Sequence, residues 1–121
     1  MLTKHMAELH IEKYRGNVAV AINRPSMVCP SYREPFPGWI DSVAAAGTII
    51  FPTAMGWSRQ FRGVGDAILD FIPVDLAVNQ ALVQTVYSAK LKIPFTIWVS
   101  GSSQRKPTSM DDTLKPGVDF L

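Results

Sequence analysis

Residues 17–23, NVAVAIN, constrain the fold more than any other stretch of this chain. The run is short, small and apolar without alternation, as in a strand buried on both faces of a parallel sheet. Such a strand requires partners on both edges and helices over both faces. Upstream, Leu2, Met6 and Leu9, and less regularly Ile11 and Tyr14, form a helical stripe that Gly16 can close as a left-handed cap. A helix therefore feeds directly into a central strand, and Arg24-Pro25 ends it.

The remaining elements keep the same rhythm. CPSYREPFPG (29–38) carries three prolines and reads as a rigid, irregular loop. WIDSVAAAG suggests a short helix stopped by Gly47, TIIF a short strand, and residues 52–65 a mobile loop with Gly56, Gly63 and Gly65. ILDFI (68–72) is strand-like, and Pro73 and Asp75 open a helix whose Val78, Leu82 and Val86 share one face. IPFTIWVS (93–100) alternates Phe95, Ile97 and Val99 as a strand, and a polar loop follows in which Thr108 can cap a brief final helix. Alternating helices and strands predict an α/β fold with a parallel sheet. These elements are too few to surround the 17–23 strand, so the chain reads as the back portion of a larger α/β domain.

Composition narrows the partners. Twelve basic against ten acidic residues leave a net charge of +2 with no basic run, which argues against nucleic acid or an anionic membrane as the main partner. Apolar runs are too short for a transmembrane segment, and no targeting segment is evident. Cys29 is the sole cysteine, which excludes an intramolecular disulfide and fits a reducing, intracellular compartment without choosing among cytosol, peroxisome, plastid and the cytosolic face of the endoplasmic reticulum. His5 and His10 lie about 140° apart on a helix and predict no metal site.

Three segments carry a family resemblance. RPSMVCPSYREPFPGWID (24–41) closely resembles a signature of the fatty acyl-CoA reductases, extended short-chain dehydrogenase/reductases that include the male-sterility proteins of plants. DFIPVDLAVN (70–79) resembles that family's Asp-x-Ile-Pro-Val-Asp segment, and WVSGSSQRKPTS (98–109) more loosely resembles the strand and loop that follow. LTKHMAE resembles the family helix Tyr-x-x-x-Lys-Ala-x-Ala-Glu, with Lys4 in the lysine position and the tyrosine slot immediately before Met1. The resemblance implies a Rossmann-like, partial extended reductase fold: residues 1–121 as the C-terminal portion of an NAD(P)-binding domain, lacking its N-terminal dinucleotide-binding half. It implies NADPH-dependent reduction of a long-chain fatty acyl-CoA to a primary alcohol through an aldehyde, in a fragment inactive alone. The other readings are a non-catalytic remnant or another extended reductase, such as a sugar epimerase or a carrier-protein thioester reductase.

The chemistry gives each residue an expected role. A tyrosine hydroxyl near pKa ~10 protonates a nascent alkoxide poorly unless a cation stabilises its anion. A lysine four residues on shares its helical face, so Lys4 is the candidate catalytic residue and a cofactor contact, against the bland reading of a solvated lysine. The resemblance places main-chain groups near Pro25 and Val28 beside the nicotinamide, whereas Arg24-Pro25 alone is equally a strand stop. Phe36 and Trp39 are candidate acyl-binding residues or simply a packed corner. Arg59 aligns with a family arginine suited to a coenzyme A phosphate, or is solvated. Cys29 beside apolar residues reads as inert. Ala54-Met55-Gly56 replaces the family's usual Gly-Lys-Gly.

Overall fold

The computed structural model describes residues 2–44, 46–58, 60 and 63–118, with side chains described as far as residue 114. Helix α1 (Leu2–Tyr14) leads into β1 (Val20–Pro25) and β2 (Met27–Cys29). An irregular loop then reaches α2 (Gly47–Ala54), followed by β3 (Ile68–Leu69) and β4 (Phe71–Pro73). Helix α3 (Val74–Lys90), β5 (Phe95–Ser100), β6 (Thr108–Ser109) and α4 (Met110–Val118) complete the chain.

Strands pair in twos. β1 lies parallel to β5 with Val20 opposite Phe95 and Pro25 opposite Ser100. β2 lies parallel to β4, and β3 runs antiparallel to β6. The fold is thus α/β with parallel pairs, the class expected from the order of elements. Gly16 turns α1 toward β1 at φ +56°, as a left-handed cap requires.

Several local expectations are corrected. TIIF is not a strand but the first half of α2, and Gly47 opens that helix rather than stopping one. A four-residue apolar run carries too little periodicity to separate strand from helix, and here Thr53 Oγ1 donates back to the Ile49 carbonyl at 2.7 Å along the helical turn. Residues 39–44 are irregular, and α2 extends through Pro52 into the segment expected to be loop. The 68–72 strand is split at Asp70, whose carboxylate turns toward a different loop. Ser109, not Thr108, caps α4: its hydroxyl accepts the Asp112 N–H at 3.1 Å and donates to the Asp112 carboxylate at 2.7 Å.

The 17–23 strand is also less enclosed than its composition suggests. Ordered pairing runs from Val20 through Pro25, and among the described residues β5 is its only partner. Helix α3 covers it with its polar side. Gln84, 1% exposed, donates to the Ile22 carbonyl at 3.0 Å, and Asn23 Nδ2 donates to the Ala77 carbonyl at 3.2 Å. Ser100 donates to Asn23 Oδ1 at 2.6 Å. These bonds orient Ala77, Gln84 and Ser88 inward, which leaves Val78, Leu82 and Val86 facing out. Helix α1 likewise buries none of its residues. The accessible surface is 9300 Å², whereas a folded 13.4 kDa monomer exposes roughly 6,500 Å². Ala46, Ile72 and Ala77 are the buried apolar residues among those described.

Candidate functional site

The carboxyl ends of parallel strands are where open α/β sheets bind ligands. At that end of β1, Arg24 reaches across to Glu8 on α1, with Nε 3.2 Å from Oε1 and Nη2 bonded to Oε2. The pair holds the Glu8 carboxyl below its ordinary range and raises the Arg24 guanidinium, mainly through their hydrogen bond. Lys4 lies one turn before Glu8 on the same helical face. It is exposed, and the ion pair carries its face toward the end of β1 where Pro25 stands. Beside Pro25, the Ser26 hydroxyl is buried without a partner in hydrogen-bond geometry, although its proximity helps to lower the pKa of Asp70.

The proline-rich loop is organised from Ser31, which is buried. Its hydroxyl donates to the Phe36 carbonyl at 2.6 Å and accepts the Trp39 N–H at 3.1 Å. Its own N–H donates to the Trp39 carbonyl at 2.9 Å. The Glu34–Pro35 peptide is cis. Asp75, in the first turn of α3, ties this loop to the helix. Its Oδ1 accepts Tyr32 N–H at 3.0 Å and Leu76 N–H at 3.1 Å; its Oδ2 accepts Arg33 N–H at 2.8 Å and Glu34 N–H at 3.2 Å. Led by the Tyr32 amide, these donors lower its pKa to about 2. Asp70 does similar work on the other side of β4. Its Oδ1 accepts the N–H groups of Ser102 at 2.8 Å and Ser103 at 3.1 Å, and its pKa falls, chiefly through Ser102.

Two clefts open around the loop. One of about 380 Å³ is lined by Glu34, Pro35, Trp39, Val74, Asp75, Val78 and Asn79. A smaller one of about 120 Å³ includes Val28, Cys29, Trp39, Ile40 and Val74. Trp39 and Val74 belong to both, so the indole links the β2 end to the apolar face of α3. Burial pushes the Cys29 thiol up, which matches its reading as inert.

Residues 1–81 match the sequence model of an NAD-binding domain described as male sterility protein. The chain belongs to the male sterility protein family. Among similar proteins, mouse "Fatty acyl-CoA reductase 2" is 38% identical over 87 residues, covering 72% of this chain and 17% of that protein. Human "Fatty acyl-CoA reductase 1" is 38% identical over 86 residues, 71% of this chain and 17% of the relative. The Arabidopsis thaliana "Probable fatty acyl-CoA reductase 4" is 31% identical over 111 residues, 92% of this chain and 22% of the relative. The chain thus spans about a fifth of the length of these curated relatives.

Within this male sterility family member, Glu8, one turn after Lys4, is bonded to Arg24 beside Pro25, and Val28 and Trp39 share a cleft. Phe36 is exposed and lines neither of the two clefts, and Arg59 lies outside the described residues. Glu8, Ser31 and Asp70 were not singled out by sequence reasoning, and Asp75 was read only as a helix cap. Their signal was available: each stands inside or beside a segment that resembles the family. No group of metal-ligating side chains occurs among the described residues, and none of their helices is long and apolar enough to cross a membrane.

Family membership supplies a nicotinamide cofactor. The Ser26 hydroxyl, buried just past the carboxyl end of β1 and near Asp70, and the exposed Lys4 on α1 are polar groups of the kind that the ribose and amide of such a cofactor use.

Proposed function

We propose that residues 1–121 form the C-terminal portion of the NAD(P)-binding domain of an NADPH-dependent, alcohol-forming fatty acyl-CoA reductase. The observation that supports this reading is the Glu8–Arg24 bridge, which ties the helix carrying Lys4 to the residue before Pro25. The open edge of β1 and the outward apolar faces of α1 and α3 support a domain whose remaining elements cover them.

When bound, NADPH supplies hydride. Lys4 would hold the nicotinamide ribose and stabilise the anion of the tyrosine hydroxyl that the family resemblance sets four residues before it, so that a proton reaches the carbonyl oxygen as charge develops there. Main-chain groups near Pro25 and Val28 would orient the nicotinamide amide. The first reduction expels coenzyme A as a thiol and leaves an aldehyde; the second takes a further hydride and proton to the primary alcohol. Trp39, with Val74 and Val78, offers the hydrocarbon an apolar wall, where each buried methylene contributes about 0.8 kcal/mol. By the family resemblance, Phe36 is assigned to the acyl chain and Arg59 to a phosphate of coenzyme A.

The test is a chimera in which this chain replaces the corresponding segment of mouse fatty acyl-CoA reductase 2. Formation of hexadecanol from palmitoyl-CoA and NADPH, abolished by Lys4→Ala, is the expected result. A folded chimera that binds NADPH but makes neither aldehyde nor alcohol would sink the proposal.

A further inference from the structure

The larger cleft has one wall on α3 and the other on a loop with little regular structure. Val74 and Val78 are fixed by the helix. Pro35 and Trp39 sit on a segment whose main chain forms no ladder, so something other than secondary structure must set the width of the gap. Ser31 closes the loop on itself but does not join it to α3. Asp75 makes that connection, taking three consecutive loop amides and one helix amide on two oxygens.

Resting on the acyl-CoA reductase reading above, we propose that Asp75 is a positioning residue for the acyl chain. It holds the loop carrying Pro35 and Trp39 at a fixed distance from Val74 and Val78, so that the cleft stays open to a hydrocarbon. The carboxylate is charged throughout the physiological range, since its four donors hold its pKa near about 2. A neutral amide in its place has a single acceptor oxygen, so it keeps at most one pair of these bonds, Tyr32 with Leu76 or Arg33 with Glu34, and sets an NH2 group against the other. The acyl group and not the nucleotide portion of coenzyme A occupies the cleft, because Pro35, Trp39, Val74 and Val78 supply mainly carbon to it.

The experiment measures binding of palmitoyl-CoA and of coenzyme A alone to the chimera described above and to its Asp75→Asn and Asp75→Glu variants. Amide exchange at Tyr32, Arg33 and Glu34 reports the clamp directly. Asp75→Asn is expected to speed exchange at those amides and to weaken palmitoyl-CoA about tenfold, leaving coenzyme A unchanged. Asp75→Glu, which restores both acceptors, should recover most of the affinity. Where Asp75→Asn does not fold, Asp75→Ser, with one capping oxygen, takes its place. Unchanged palmitoyl-CoA affinity with the loop amides released overturns the positioning role and leaves the acyl reading standing. An equal loss of affinity for coenzyme A alone overturns the assignment of the cleft to the acyl chain. A folded wild-type chimera that ignores palmitoyl-CoA overturns the reductase reading with it.

Discussion

Glu8 on α1 and Arg24 at the end of β1 form a two-pronged ion pair across sixteen residues of sequence. Helix α1 buries no side chain, and thirteen residues are marginal for a free helix in water. The pair is therefore a main restraint on where Lys4 sits. Glu8→Gln or Arg24→Gln is expected to raise amide exchange across α1 several-fold. High salt should act in the same direction on the wild type, because both groups are solvent-accessible. Exchange measured by mass spectrometry checks this, and unaltered protection in both variants argues that α1 is held by other means.

The Asp75 carboxyl gives a pH prediction with a definite sign. Its folded pKa of about 2 lies below its ordinary 3.8, so the contribution is complete above about pH 4 and is lost as pH falls through 2. The amide resonances of Tyr32, Arg33 and Glu34 should shift together with a midpoint near about 2. A midpoint at the ordinary carboxylate value would show that the clamp is absent in solution.

Gly101 is required by contact rather than by backbone angle. A Cβ there would stand 2.5 Å from Asp70 Oδ2 and 3.1 Å from its Cγ. Gly101→Ala should destabilise by about 1–3 kcal/mol, as overpacking does. Pairing it with Asp70→Ala should make the combined loss smaller than the sum of the two single losses. Urea midpoints of the four proteins decide the point.

Ser31→Ala removes a buried hydroxyl that serves both the Phe36 carbonyl and the Trp39 N–H. The expected cost is about 1–3 kcal/mol, with Trp39 fluorescence moving toward that of an exposed indole. The emission is read in a Trp57→Phe, Trp98→Phe background so that Trp39 reports alone.

The α/β class was legible because β1 and β5 carry short apolar runs separated by a long helical pattern. Gly16, the start of α3 and the irregular proline loop were legible from local chemistry that tertiary context leaves in place. TIIF was not, since isoleucines suit either state over four residues and only packing decides. The shared face of Val78, Leu82 and Val86 was legible from their spacing, but not that it faces outward: Gln84 and Ala77 meet main-chain and side-chain groups of β1, and one helix has only one inner side. For the candidate site, motif resemblance named Lys4, Pro25, Val28, Phe36, Trp39 and Arg59. It did not disclose Asp75 as a clamp, because the carboxylate acts on amides more than forty residues earlier, and backbone donors leave no residue type to recognise.

Asp70 and Asp75 flank a single three-residue strand, β4, and each grips a different loop. The strand behaves as a short rigid bar with a hook at either end. Sliding it by one residue against β2 would displace Asp70 and, through Val74, Asp75, and with them the anchors of the 31–39 and 101–106 loops. Two segments far apart in sequence are in this way geared to the position of one strand, and the place to loosen either loop is the register of Ile72 rather than the loop itself.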